Sequence, residues 1–278
     1  MGKNEIQKNI LFVSDLDGTL LRSNEKTSAY TNKVINELTA KGMLFSYATA
    51  RSHVTSTKCT EGLNAKIPII TYNGAVILEN ETFAIIHKTI FTDEENREIL
   101  EELLENGVYP IVYAYVDEQE KFSYIESLCS RMTKEFVATR QDLRKRPVAN
   151  KQELGQGEIF YYTCIDEKEK LEPLYYKLKD KYHCIFQKDI YSGEQWLEII
   201  PKSVSKANAI SYLKKYMNVD YVVAFGDGVN DIEMFTLADE AYAVENAAPE
   251  LKEAATGIIG NNNSDSVASW LQEHFVKK

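Results

Sequence analysis

The sequence has no apolar run long enough to cross a bilayer. Its longest wholly apolar stretches are short ones such as Tyr221–Phe225 (YVVAF), far below the roughly 18 residues a spanning helix needs. Cysteine is scarce: Cys59, Cys129, Cys164 and Cys184 form no C-x-x-C pair. They read as small buried hydrophobes in a reducing compartment. The N-terminal stretch MGKNEIQKNILFVS lacks an h-region long enough for a secretory signal, and Ile6 stands where a myristoylation motif needs Ser or Thr. The expectation is a cytoplasmic protein. His53, His87, His183 and His274 show no metal-ligand spacing. Positive charge is in deficit, with 32 Lys and Arg against 42 Asp and Glu and a net charge of −10. That excludes a general grip on nucleic acid or anionic lipid as the main activity. It does not exclude a phosphorylated ligand, because charges beyond a screening length of about 8 Å matter little to a local pocket. With 13 Gly and 6 Pro the chain is neither collagen-like nor a low-complexity segment.

What is present is material for a core. At roughly 150 residues per domain, 278 residues make about two domains. In the first third, the apolar run 9–14 (NILFVS) precedes a helical period over 30–42, with Val34, Ile35 and Leu38 on one face and Gly42 as a stop. A second apolar run, 43–49 (MLFSYAT), follows. Such a strand, helix, strand unit with continuous apolar strands predicts a parallel sheet covered on both faces. The run 67–76 predicts a further strand, and 75–79 with 83–89 a hairpin around Asn80–Thr82. From Thr92 the strict alternation stops. Helices over 92–107, 127–139 and 168–182 mix with β-rich runs, and 141–157 is polar and rich in breakers, which predicts a loop. Alternation resumes with a helix over 206–217, the strand YVVAF, a helix over 231–238 and a terminal helix around 267–275. The expected architecture is α/β. A Rossmann-like parallel-sheet core comes from 1–90 and 199–278, with an inserted α+β cap over 91–198.

Three strand ends carry polar clusters. The first runs into Asp15-Leu16-Asp17-Gly18-Thr19-Leu20. Residues two apart in an extended segment point the same way, so Asp15 and Asp17 share one mouth while Leu16 faces inward. A calcium loop is excluded by count: from Asp15 the fifth position is Thr19, the sixth is Leu20 in place of Gly, and the twelfth is Lys26. The second ends in Thr49-Ala50-Arg51-Ser52, where a hydroxyl and free N–H groups can hold an oxyanion. The third runs into Gly226-Asp227-Gly228-Val229-Asn230-Asp231, acidic groups that suit Mg²⁺. Lys206 opens the helix before it. Each feature alone has an ordinary reading: a turn, a helix cap or a solvated surface lysine.

Together, D-x-D-G-T, T-A-R, the lysine and G-D-G-x-N-D in this order resemble the signature of the haloacid dehalogenase-like phosphohydrolases. The inserted domain after Tyr72-Asn73-Gly74-Ala75 looks like the Cof-type branch with a type-IIB cap. Ala50 and Ala207 depart from the Gly common at those two positions. The resemblance implies a Mg²⁺-dependent phosphatase for a small phosphorylated metabolite, a monomer or small homo-oligomer. Asp15 would be the nucleophile and Asp17 the general acid and base. The ion would lie on Asp15, Asp227 and the carbonyl of Asp17, with Asp231 in support. The phosphate would be held by Leu16, Thr49, the Ala50 N–H, Lys206 and Asn230, with Asn73 and Gly74 approaching. Acid–base help of about 10²- to 10⁴-fold supplies only some 3–5 kcal/mol of the roughly 29 kcal/mol such hydrolysis can require. Positioning and electrostatics must supply the rest. Two alternatives stay open: a phosphomutase using the same aspartate, and a non-catalytic phospho-aspartate module. The cap aromatics Tyr109, Tyr113, Tyr115, Tyr161, Tyr162 and Trp196 read as packing residues, and none is assigned to specificity.

Overall fold

The apolar run after Asn9 is a strand, β1 (Ile10–Ser14), with Leu11, Phe12 and Val13 wholly enclosed. The computed structural model describes residues 9–64, 67–188 and 192–275. Helix α1 (Ala29–Ala40), capped by the Ser28 hydroxyl, buries Val34, Ile35 and Leu38. Strand β2 (Leu44–Tyr47) follows, then helix α2 (His53–Cys59), capped by Ser52. Strands β3 (Ile69–Thr71), β4 (Val76–Leu78) and β5 (Ile85–Lys88) form a small sheet in that order. The run 67–76 is therefore not one strand. It breaks at Tyr72, Asn73 and Gly74, all at positive φ. A side chain on Gly74 would lie 2.3 Å from the Ser205 carbonyl oxygen, so glycine lets this turn press against the start of the Lys206 helix.

The inserted unit begins with helix α3 (Asp93–Glu105), entered through a reciprocal Thr92–Glu95 capping box. Strands β6 (Ile111–Val116) and β7 (Gln119–Tyr124) make a hairpin whose turn residues Asp117 and Glu118 both have positive φ, the twist that suits a two-residue hairpin. Helix α4 (Arg131–Ala138), strand β8 (Lys145–Pro147), helix α5 (Lys151–Leu154), strand β9 (Glu158–Ile165), helix α6 (Lys168–Leu178) and strands β10 (His183–Lys188) and β11 (Gln195–Ile200) complete it. The sheet order is β10-β11-β9-β6-β7-β8. Its core packs Ile99 and Leu103 of α3 and Leu171 and Leu174 of α6 on Val112, Tyr162 and Leu197. The segment 141–157 is thus more than a loop, since it holds β8 and α5. Polar residues hide this strand from periodicity: it follows Arg144, which is buried by ion pairs to Glu120 and Asp142 at 2.7 and 2.8 Å.

The chain returns through helix α7 (Lys206–Tyr216), strand β12 (Tyr221–Gly226), helix α8 (Ile232–Leu237), strand β13 (Glu240–Ala243), helix α9 (Pro249–Glu253), strand β14 (Gly257–Ile258) and helix α10 (Ser266–His274). These complete a five-stranded parallel sheet, β14-β13-β12-β1-β2. The two units divide as 1–87 with 205–278, and 88–204. The second division falls beyond 198 because β11 belongs to the inserted sheet up to Ile200. In the core unit the chain leaves β1 toward β2 on one side and comes back through β12 on the other. Their carboxyl ends flank the topological switch point, where open α/β sheets bind ligands. No helix among the described residues is long and apolar enough to span a membrane.

Asp265, at the head of α10, ties this helix to the first third of the chain. It accepts from Arg22 Nε at 2.9 Å and from the Thr31 hydroxyl at 3.1 Å. Burial would raise its pKa, but hydrogen bonds from Arg22, Ser28 and Thr31 outweigh burial and hold it below the usual carboxylate range. A depressed folded pKa stabilises the protein above the unfolded pKa of about 3.9, and the gain disappears as pH falls through the lower folded value. Asp265→Asn is therefore expected to cost about 1–2 kcal/mol at neutral pH. The gap from wild type should narrow progressively as pH falls below about 4. Urea melts at pH 7 and pH 3 measure both, and a gap independent of pH would refute the assignment.

Candidate active site

Asp15 is the first residue past β1, and its N–H still donates to the Phe225 carbonyl of β12 at 2.9 Å. That bond sets its side chain, 6% exposed, at the shared end of the two central strands. Lys206 is the first residue of α7, a helix end fixed by the Ser205 hydroxyl accepting from the Asn208 N–H. The lysine is no solvated surface residue. It is 2% exposed, and its Nζ donates to Asp15 Oδ1 at 2.5 Å and Asp231 Oδ1 at 2.7 Å.

Asp231 is fully buried, and its second oxygen accepts from the N–H groups of Asp227 and Gly228, each at 3.1 Å. This folds Gly226–Asp231 back on itself. Gly226 must lack a side chain, because a Cβ there would lie 2.7 Å from Asp231 Oδ2. Asp227 in turn accepts from the Thr19 hydroxyl at 3.1 Å. The glycine of D-x-D-G-T has a parallel reason: Gly18 has φ 76°, and a Cβ on it would fall 2.1 Å from Asp227 Oδ2. The spacing of both motifs is thus steric as well as chemical.

Carboxylate oxygens of Asp15, Asp227 and Asp231 lie within 4.8 Å of one another. Burial pushes the Asp15 pKa up, and the charges of Asp231, Asp227 and Asp17 add to this. Lys206 opposes them without cancelling the rise. Burial and then Asp231 push Asp227 up to about 7. Burial alone would lower the Lys206 pKa, but Asp15 and Asp231 overcome it and hold the ammonium above its ordinary range. Three carboxylates against one ammonium leave the cluster short of positive charge. Hard oxygen donors with that shortfall fit a divalent cation such as Mg²⁺.

The backbone does not continue extended through Leu16. It turns irregularly over Leu16–Leu20, closed by the Leu21 N–H on the Leu16 carbonyl at 2.8 Å. The two aspartates therefore reach the region through a turn, not through strand alternation. Leu16 is fully buried. The carboxylate of Asp17 meets a partner that sequence reasoning left unassigned, the third residue of T-A-R. Arg51 Nε donates to Asp17 Oδ2 at 2.7 Å and Nη2 to Oδ1 at 2.6 Å, and Nη2 also reaches Glu25 Oε2 at 2.8 Å. An arginine fork facing a carboxylate is a strong, directional pair, and its only signal in sequence was its place in the motif. Thr49 is fully buried. Its hydroxyl accepts from the Arg51 N–H at 3.1 Å, and its carbonyl accepts from the Asn73 N–H at 2.9 Å. Ala50 is half-buried between them. Asn230 is half-buried in the turn Val229–Asp231, with Oδ1 standing 2.4 Å from where a Cβ on Gly228 would be.

A family model described as haloacid dehalogenase-like hydrolase matches residues 12–271. The Bacillus subtilis protein YwtE, named 5-amino-6-(5-phospho-D-ribitylamino)uracil phosphatase, is 26% identical over 279 residues, covering 93% of this chain and 96% of that protein. A second B. subtilis phosphatase of the same name, YitU, is 25% identical over 280 residues, covering 96% and 98%. Among solved structures, TM0651 from Thermotoga maritima is 27% identical, with a TM-score of 0.77 and 95% and 96% of the two chains covered.

Removing one partner of a buried ion pair leaves the others uncompensated, at a cost of about 3–5 kcal/mol. Lys206→Met is expected to lose that much stability in urea unfolding without divalent cation. A loss below about 1 kcal/mol would mean that solvent, not Lys206, offsets Asp15 and Asp231.

Proposed function

The chain belongs to the haloacid dehalogenase-like hydrolases, and from that premise we propose that it is a Mg²⁺-dependent phosphatase of a small phosphorylated metabolite, a sugar phosphate or similar monoester. Relatives named as phosphatases along nearly their whole length support hydrolysis as the reaction. The observation that carries the reading is the Asp15 carboxylate at the switch point, held by Lys206 beside Asp227 and Asp231.

In this reading Lys206 pins one oxygen of Asp15 and so fixes the carboxylate plane. Asp15 attacks phosphorus, forming a carboxylate–phosphorus bond as the ester oxygen departs, and Asp17 gives the departing alcohol its proton. Water then attacks the same phosphorus and passes its proton to Asp17. The bond to Asp15 breaks, and phosphate leaves. Thr49, the Ala50 N–H, Lys206, Asn230 and the backbone at Leu16 hold the phosphate oxygens. Arg51 orients Asp17. Asp15, Asp227 and the Asp17 carbonyl, supported by Asp231, would hold the Mg²⁺, whose charge lets an anionic carboxylate approach an anionic phosphate.

A panel of phosphomonoesters assayed for free phosphate tests this. It should include sugar phosphates and the 5-amino-6-(5-phospho-D-ribitylamino)uracil in the name of the Bacillus relatives. Wild type should turn over with Mg²⁺ and stop with EDTA. Asp15→Asn should lose about 10⁴-fold or more, and Asp17→Asn about 10²- to 10⁴-fold. Equal turnover by wild type and Asp15→Asn would remove the proposed nucleophile. Transfer to another hydroxyl with little free phosphate would make the protein a mutase instead.

A further inference from the structure

The loop that bears Asp17 is gripped from outside the four motifs. Asn246 Nδ2 donates to the Gly18 carbonyl at 2.8 Å, and its Oδ1 accepts from the Asn262 N–H at 3.1 Å. Only one orientation of the amide satisfies both, since a carbonyl needs a donor and an N–H an acceptor. Asn262 adds a second hold, its Nδ2 donating to the Leu21 carbonyl at 2.8 Å. Asn263 takes the end of the loop, accepting from the Ser23 N–H and donating to the Ser23 hydroxyl, both at 2.9 Å.

The same short segment also holds the opposite loop. The Val244 N–H donates to the Gly226 carbonyl at 3.2 Å, and the Ala248 N–H to the Asp227 carbonyl at 2.8 Å. Residues 244–248 therefore bond alternately to the two loops that carry Asp17 and Asp227. Gly18 and Asp227 are already in contact, so there is no slack between them. A side chain on Gly18 would fall 2.1 Å from Asp227 Oδ2. A displaced Gly18 carbonyl would move the Gly18–Thr19 peptide, and with it the Gly18 Cα that abuts Asp227 and the Thr19 hydroxyl that donates to it at 3.1 Å. Misplacement by about 1 Å can cost about 10²-fold in rate.

We propose that Asn246 is a positioning residue of this site, setting the spacing between the Asp17 and Asp227 loops through the Gly18 carbonyl. The consequence for catalysis rests on the phosphatase reading above; the consequence for the loop does not. Asn246 carries no reacting group and touches the loop, not the substrate.

The test uses Asn246→Asp, which keeps the shape and the bond from Asn262 but loses the donor to Gly18, and Asn246→Ala, which loses both without adding charge. Both variants should lower kcat at least tenfold with KM within about threefold. Both should weaken Mg²⁺ binding several-fold by calorimetry with the metal alone. Amide exchange in Leu16–Ser23 should quicken at least tenfold while β1 and β12 keep their protection. Exchange that quickens equally in the loop and the central strands would mean a general stabilising role and overturn the proposal. So would unchanged loop exchange and Mg²⁺ affinity. If wild type releases phosphate from no ester, the phosphatase reading falls, and loop exchange with Mg²⁺ calorimetry still decides the role of Asn246.

Discussion

The structure of the core unit turns on one ammonium group. Lys206 Nζ sits between Asp15 and Asp231 with almost no exposure, so three charged groups from three strand or helix ends are taken out of water together. Each alone would be costly to bury, and the arrangement holds because each neutralises part of another. The pair cannot form unless α7 begins where it does. That start is fixed by the Ser205 cap and by the Tyr72–Gly74 turn, whose glycine approaches the Ser205 carbonyl. A glycine distant in sequence thereby helps decide where the lysine lies.

Much of this was legible in the sequence because the strands are plain. β1, β2 and β12 are continuous apolar runs ending in polar clusters, and parallel sheets place such ends together. What periodicity could not show was structure built from polar contacts. β8 and α5 lie in a stretch held by polar contacts, Arg144 with Glu120 and Asp142 and Arg146 with the Glu153 carbonyl, and such contacts leave no hydrophobic period. The strand over 67–76 failed for a related reason, since the break at Tyr72–Gly74 answers to a contact with Ser205, 131 positions after Gly74.

The site divides in the same way. Asp15, Asp17, Asp227, Asp231 and Lys206 stand in motifs whose residue types announce their chemistry. Arg51 stood inside a motif, yet nothing in its spacing revealed that its fork would face Asp17. Asn246 and Asn262 lay outside every motif. A side-chain amide bonding to a backbone carbonyl can be made by many sequences, so it carries no local signature. Such contacts become visible only when the two loops are seen side by side.

This division has a physical basis. Groups that carry charge or take a proton are limited to a few residue types, so chemistry narrows the alphabet and motifs appear. Groups that only fix a backbone need a donor, an acceptor or the absence of a side chain, and those needs can be met from many positions along the chain. Gly18 and Gly226 are the exceptions. Their requirement is an empty volume beside Asp227 and Asp231, and only glycine meets it, so positional constraints enter the motif there. The sequence of this site is thus densest where a role admits one residue. It falls silent where the same role could be filled from elsewhere, although the rate proposed for Asp15 and Asp17 would depend on both.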